Sequence, residues 1–103
     1  MLQACIVGNL VAPAEIRLVD RSEFLSFRLA VNFYYKGERR VIFVEVTSRQ
    51  LNLTPYLLRG KQVYCSGVLE PYLYVDGKST HQIGAKCRAF VIQLLGSHDA
   101  ESD

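Results

Sequence analysis

Hydrophobic and polar residues alternate along most of the chain with a period of two. The alternation is clearest in residues 24–32, whose hydrophobic members would share one face: Leu25, Phe27, Leu29 and Val31. Because the side chains of an extended strand point alternately to its two faces, this period predicts β-strands with one buried face. The same reasoning predicts four more strands, at residues 3–10, 40–47, 62–69 and 88–95.

Three details refine these predicted strands. In residues 40–47 the alternation places Ile42, Val44 and Val46 inward, and it leaves Val41, Phe43 and Glu45 on the outer face. Gly67 falls in phase with inward side chains of residues 62–69 and predicts a bend or bulge there. The letters VDGK at residues 75–78 predict an Asp-Gly hairpin turn.

The alternation breaks between residues 48 and 61, which predicts a short helix. Thr54 could cap a helix with Pro55 in its first turn, and Gly60 stands where a C-terminal glycine belongs. Alternatively, the helix begins near Leu51 and tolerates Pro55. The predicted order is thus three strands, a short helix between the third and fourth strands, and two more strands. That is the order of the OB-fold, a mainly β, five-stranded Greek-key barrel.

Composition and charge narrow the class of protein. The chain of 103 residues is half hydrophobic, which fits one folded domain and excludes general disorder. It has no apolar run long enough to cross a membrane, and its start lacks a basic n-region, so we expect a cytoplasmic protein with no membrane partner. Residues 1–98 carry 12 basic and 7 acidic groups, a net of +5, which suggests an anionic partner. We expect the domain to span residues 1–96 and residues 97–103 to form a short acidic, disordered tail.

Little in the sequence suggests a metal site, a cofactor or catalysis. Cys5, Cys65 and Cys87 are odd in number and widely spaced, which argues against a disulfide framework and a zinc site. Cys65 is expected to be a small core residue. His81 and His98 have no nucleophile or metal partner at a recognisable spacing, so we expect a protein that is not an enzyme.

Aromatic rings stand beside cations in two clusters. The first follows the second predicted strand and contains Phe33, Tyr34, Tyr35, Lys36, Arg39 and Arg40; the second surrounds the Asp-Gly turn and contains Tyr72, Tyr74 and Lys78. Three consecutive aromatic residues cannot all face a core in an extended segment. By strand phase, Phe43 and Arg28 also point outward and could join these clusters on one side of the barrel.

Rings beside cations suit single-stranded nucleic acid. Unpaired bases stack on flat rings, and phosphates bind cations, with little dependence on base sequence. We expect Tyr35, Phe43 and Tyr74 to line one stacking groove. The plainer interpretation is that tyrosine rings pack across the sheet. We expect only such packing for Tyr56, Tyr64 and Phe90.

The sequence resembles the bacterial single-stranded DNA-binding protein family across residues 4–96. The resemblance rests on IVGNL at 6–10, LSFRLAVN at 25–32, YLLRGKQVYCSGVL at 56–69 and VIQLLG at 91–96. It implies non-sequence-specific binding of single-stranded DNA, or of RNA, in DNA replication, recombination or repair. It also implies a homotetramer or homodimer in which first strands pair, consistent with the apolar letters ACIV at 4–7.

Matched position by position, the resemblance assigns base stacking to Tyr35, Phe43 and Tyr74, and it places Arg49 where the family usually has Phe. Glu45 stands where the family often has a basic residue. The chain has acids at its end but neither a long linker nor a terminal hydrophobic residue, so we do not expect the family's recruitment of repair proteins from it. Primosomal replication protein N is the close alternative, and an OB-fold protein-interaction module anchored by tyrosines is a third. The anchors of that module would be Tyr34, Tyr35, Tyr72 and Tyr74.

Overall fold

The computed structural model describes residues 1–75, 77–78 and 81–96. Within these residues the chain forms six strands and one 3-10 helix: β1 (Gln3–Leu10), β2 (Glu15–Val19), β3 (Ser22–Tyr35), β4 (Glu38–Ser48), the helix (Leu51–Tyr56), β5 (Gln62–Val75) and β6 (His81–Leu95). The predicted tail, residues 97–103, and Asp76 of the predicted turn lie outside the described residues.

Five of the strands close into a barrel. The sheet runs in the order β1-β5-β6-β4-β3, and β1 also pairs with β3 at Asn9↔Ala30 and Leu10↔Leu29. Neighbouring strands are antiparallel except β4 and β6, which pair in parallel from Val44↔Ala85 to Thr47↔Arg88. This arrangement, with the helix between the third and fourth barrel strands, confirms the predicted OB-fold.

The short strand β2 was not predicted from the sequence. It pairs with the start of β3, from Glu15↔Ser26 to Val19↔Ser22, and so extends the edge to which β1 also pairs. Every residue of β2 is exposed, so this strand has no buried face, and the alternation of buried and exposed residues that identifies a strand is absent. Asp20 and Arg21 both have positive φ, 51° and 67°, which suits the tight turn that joins β2 to β3.

The core confirms the strand phases read from the sequence. Leu25, Leu29, Val46 and Val63 are fully buried, and Val41 and Phe43 are about half exposed. Cys65 is fully buried as predicted, and burial, aided by the nearby Cys87, raises the pKa of its thiol to about 12. The predicted bulge at Gly67 is also confirmed, because the β5–β6 register shifts between Ser66 and Gly67.

The predicted helix is present, but Thr54 does not cap its beginning. The 3-10 helix covers the six residues Leu51–Tyr56 with Pro55 inside it, so the alternative start near Leu51 is confirmed. The Thr54 hydroxyl donates to the carbonyl oxygen of Leu51 at 2.6 Å, from within the helix. Gly60, at φ 87°, lies in the turn that follows, where its N–H donates to the carbonyl of Leu10. None of the helices in the described residues is long and apolar enough to cross a membrane.

Candidate nucleic-acid interface

The outer faces of β3, β4 and β6 form one continuous surface, which we call the outer strip. Strand register sets it: Arg28 lies opposite Glu45, and Glu45 lies beside Lys86 on the other neighbouring strand. Because side chains alternate, every second residue of each strand joins the same face. The strip comprises Phe24, Ser26, Arg28 and Ala30 of β3, Phe43, Glu45, Thr47 and Arg49 along β4 and just past its end, and Lys86, Arg88 and Phe90 of β6.

A groove of about 280 Å³ occupies one end of the outer strip. Its walls are Arg28, Phe43, Glu45, Tyr72, Tyr74 and Gly84. The Arg28 guanidinium carbon lies 5.9 Å from the centre of the Phe43 ring, and the rings of Tyr72 and Tyr74 are 6.0 Å apart and tilted by 46°. The three rings are 38–48% exposed, so each offers a face to a ligand.

The tyrosine wall comes from the long β5–β6 hairpin. The two strands pair continuously to Tyr74↔Gln82 and Val75↔His81, well beyond the barrel. Tyr72 pairs with Gly84, and its ring lies over that glycine, since a Cβ on Gly84 would be 2.7 Å from the ring carbon Cζ. Sequence reasoning missed Gly84, although a glycine inside a strand pattern is a known signal of close approach.

Besides Arg28, a second cation lies at the groove: Lys86, which the sequence reasoning did not indicate. Its Nζ lies 5.7 Å from the centre of the Tyr72 ring. The sequence pattern began the last strand at residue 88, whereas β6 begins at His81, so the phase of Lys86 was not available. Together, Arg28 and Lys86 place basic side chains on both sides of the groove's acid, Glu45.

Glu45 is the unfavourable residue that the sequence identified, and it sits in the groove wall. Its carboxylate is only partly exposed and lies 3.9 Å from the Arg17 guanidinium of β2. Arg28 and Lys86 flank it in the register. Arg17 is also paired with Glu15 at 3.5 Å, and Lys86 lies opposite Glu70 on β5, so acids and cations alternate at this end of the strip.

The first ring-and-cation cluster lies on the β3–β4 hairpin. Lys36 Nζ is 5.3 Å and Arg40 Cζ is 5.8 Å from the centre of the Tyr35 ring, so the predicted association of ring and cation is present. The turn is tight, with Lys36 and Gly37 both at positive φ, 53° and 80°. The Arg40 guanidinium also forms a 2.9 Å ion pair with Glu38.

The expectation that Tyr35 lines the same groove as Phe43 is wrong. Tyr34 and Arg39 pair on the face that carries Phe43, whereas Tyr35 pairs with Glu38 and Phe33 with Arg40 on the opposite face. Side-chain alternation therefore separates Tyr35 from the groove, which it does not line. The sequence carried this information, because residues 35 and 43 fall on opposite phases once the turn is centred on Lys36 and Gly37.

The remaining candidates lie apart from the groove. Arg49 is at the far end of the outer strip, where its guanidinium carbon is 5.1 Å from the Phe24 ring. Lys78 is exposed in the segment that joins β5 to β6. The structure thus brings together Arg28, Phe43, Tyr72 and Tyr74, and it places the rest on the two hairpins and at the end of β4.

Comparisons with known proteins bear on the fold. No protein-family model matches the sequence, and no curated protein matches it either. Among solved structures, the small single-stranded DNA-binding protein of Streptomyces coelicolor superposes with a TM-score of 0.72 at 24% identity, over 94% of this chain and 96% of that one. The SSB of Plasmodium falciparum, solved in complex with ssDNA, gives 0.68 at 15% identity, over 92% and 95%. The chain therefore has the OB-fold that these single-stranded DNA-binding proteins share, over nearly its whole length.

Proposed function

We propose that this protein binds single-stranded DNA without sequence specificity, through base stacking and contacts between cations and phosphates. The observation that carries the proposal is the groove, where three partly exposed rings and the Arg28 guanidinium converge. Each stacked base contributes about 1–3 kcal/mol whatever its identity, because every base has a flat π-face. A duplex hides those faces, so the groove favours unpaired strands.

The proposed role is binding without catalysis. The rings of the groove would stack on bases and its guanidinium would neutralise phosphates, and neither interaction makes or breaks a covalent bond. Support also comes from the two solved structures of the same fold, which are named as single-stranded DNA-binding proteins. We place the activity in DNA replication, recombination or repair in the cytoplasm.

We further propose that the protein acts as a homodimer or homotetramer formed through β1. This strand pairs with β5 from Gln3 to Asn9, whereas on its other side the described residues show pairing only at Asn9 and Leu10, to β3. The edge from Gln3 to Gly8 can therefore accept a second copy of β1, since unpaired N–H and C=O groups of an edge strand template further pairing. Sedimentation at graded protein concentrations tests this; a monomer at all of them would contradict it.

The experiment that tests DNA binding is a fluorescence titration with labelled dT, rU and matched duplex oligonucleotides. We expect tighter binding to dT than to duplex, and the rU arm separates DNA from RNA preference. The logarithm of the affinity should fall with the logarithm of salt by about 0.7 per phosphate contact. Arg28→Gln should reduce that slope, and Arg59→Gln, in the turn after the helix, is the matched control.

Two results would contradict the proposal. Equal affinity for dT and duplex at moderate salt would mean that the rings do not stack on bases. A flat salt response would favour the protein-interaction module, because tyrosine and arginine also anchor protein interfaces.

A further inference from the structure

The end of the outer strip opposite the groove carries a second pair of aromatic rings, Phe24 and Phe90. They line a cavity of about 280 Å³ together with Arg49 and Arg88. The cavity has a chemistry like that of the groove, with flat apolar rings beside guanidinium groups. The sequence pattern predicted only packing for Phe90, yet its side chain is 59% exposed.

A β-bulge displays the Phe90 ring. Ser66 pairs with Val91 and Gly67 pairs with Ala89, so Phe90 has no partner on β5 in the described ladder. Its carbonyl oxygen instead accepts a hydrogen bond from the Gln50 side-chain amide at 3.0 Å. Bulges commonly redirect a side chain next to a functional site.

Gly67 makes this bulge possible. A Cβ at that position would lie 2.1 Å from the carbonyl oxygen of Arg88, which is backbone and cannot move aside. The close approach of β5 to β6 at this point therefore requires glycine. One residue in the core strand thus sets the position of an exposed ring on the neighbouring strand.

The second cavity lies on the same face of β4 as the groove, and among the described residues the two have no lining residue in common. Phe43, Glu45, Thr47 and Arg49 follow one another along the same face of β4, and Thr47 lies beside Arg88 in the β4–β6 register. Arg49 is six residue steps beyond Phe43, which is about 20 Å at about 3.3 Å per residue of extended chain. Along this path the neighbouring strands contribute Arg28, Lys86 and Arg88, and β4 itself contributes one acid, Glu45.

Resting on the proposed function, we propose that the same single strand of DNA leaves the groove along β4 and stacks a further base in the cavity between Phe24 and Phe90, where Arg49 and Arg88 contact its phosphates. The occupant is a nucleobase of the bound strand, because the site joins the exposed Phe90 ring and the partly buried Phe24 ring to two guanidinium groups, on the strip that holds the groove. The chain would thus use two stacking sites on one face, with Arg28, Lys86 and Arg88 beside the strand that joins them.

The test uses dT oligonucleotides of about four and about sixteen nucleotides, the two ends of the range for one OB-fold. In the wild type the longer oligonucleotide should bind more tightly, because it reaches both sites. Phe90→Ala should weaken binding of the longer oligonucleotide by about 5- to 150-fold, the equivalent of one stacked base. The short one should lose much less, because it can bind in the groove alone.

Two variants serve as controls. Phe90→Tyr retains the ring and should bind like the wild type. Tyr56→Ala removes an equally exposed ring, 61% exposed, on the 3-10 helix away from the strip, and it should leave binding unchanged. Thermal unfolding of each variant accompanies the titrations and reports whether it is folded.

The outcomes separate the two proposals. If the folded wild type does not bind the longer oligonucleotide, the proposed function fails and this inference fails with it. If the wild type binds, and folded Phe90→Ala binds the longer oligonucleotide as tightly as Tyr56→Ala does, the second site is overturned and the groove stands.

Discussion

The ring of Tyr72 lies across Gly84, so close that a Cβ on the glycine would stand 2.7 Å from the ring carbon Cζ and 2.8 Å from the hydroxyl oxygen. The two residues pair across the β5–β6 hairpin. Glycine thus leaves the space in which the ring lies against the sheet and forms a wall of the groove. Only glycine lets another group come this close to the backbone of a strand, because it has no side chain.

Gly84→Ala should therefore displace the Tyr72 ring and weaken binding of a dT oligonucleotide. The expected loss is at most that of one stacked base, about 1–3 kcal/mol. Gly77→Ala is the control, because a Cβ at Gly77 in the same hairpin would meet nothing within 4 Å. Fluorescence titration of both variants measures the effect, and wild-type affinity for Gly84→Ala would show that the ring position does not matter.

Phe43→Ala should separate binding from stability. The ring is 48% exposed, so its removal should leave the melting temperature nearly unchanged while weakening dT binding by about 1–3 kcal/mol. Phe27→Ala, on the neighbouring strand with its ring buried in the core, should instead cost about 3–5 kcal/mol of unfolding free energy. A large drop in melting temperature for Phe43→Ala, with unchanged affinity, would place Phe43 in the packing rather than the binding surface.

Gly67→Ala should destabilise the fold. Its Cβ would meet the backbone of Arg88 at 2.1 Å, and relieving that clash must separate β5 from β6. Overpacking of this kind costs about 1–3 kcal/mol or more. Denaturant unfolding measures the loss, again with Gly77→Ala as the control, and equal midpoints for the two variants would contradict the bulge geometry.

Glu45→Gln should strengthen binding of single-stranded DNA. The carboxylate is the acid of the outer strip within the described residues, and it lies in the groove wall among three cations. Its replacement removes a negative charge from beside Arg28 and Lys86 and from the 3.9 Å pair with Arg17, so affinity at low salt should rise several-fold, about 0.5–1 kcal/mol on the scale of partly exposed charge pairs. Glu23→Gln, on the opposite face of β3, is the control; weaker binding by Glu45→Gln would mean that the carboxylate positions the cations.

The buried thiols predict a response to alkaline pH. Burial raises the folded-state pKa of Cys65 to about 12, above its unfolded value, so the folded state holds this proton more tightly. The contribution of this thiol to stability should be constant below its unfolded pKa, near 8.5, and should be lost progressively as pH rises toward 12. Cys65→Val lacks this titration, so the difference in unfolding free energy between wild type and variant should shift over that range. A constant difference would contradict the prediction.

Local sequence pattern determined the barrel strands because their alternation reflects a single buried face. Leu25, Phe27 and Leu29 define that face of β3 unaided, and the same alternation assigned Phe43 and Arg28 to the outside. Gly67 signalled the bulge, since a glycine in phase with core residues commonly marks a bulge or a close approach of two backbones. These inferences needed no partner strand, only the period of two.

Tertiary structure decided what strand pairing brings together. The register of β4 against β6 placed Lys86 and Arg88 beside Glu45 and Thr47, although these pairs lie far apart in the chain. The turn at Lys36 and Gly37 put Tyr35 on the face opposite Phe43, and the skipped pairing at Phe90 turned a ring that the sequence assigned to packing into an exposed one. Alternation fixes the face of a side chain within its own strand, whereas neighbours across strands depend on register, which long-range packing sets.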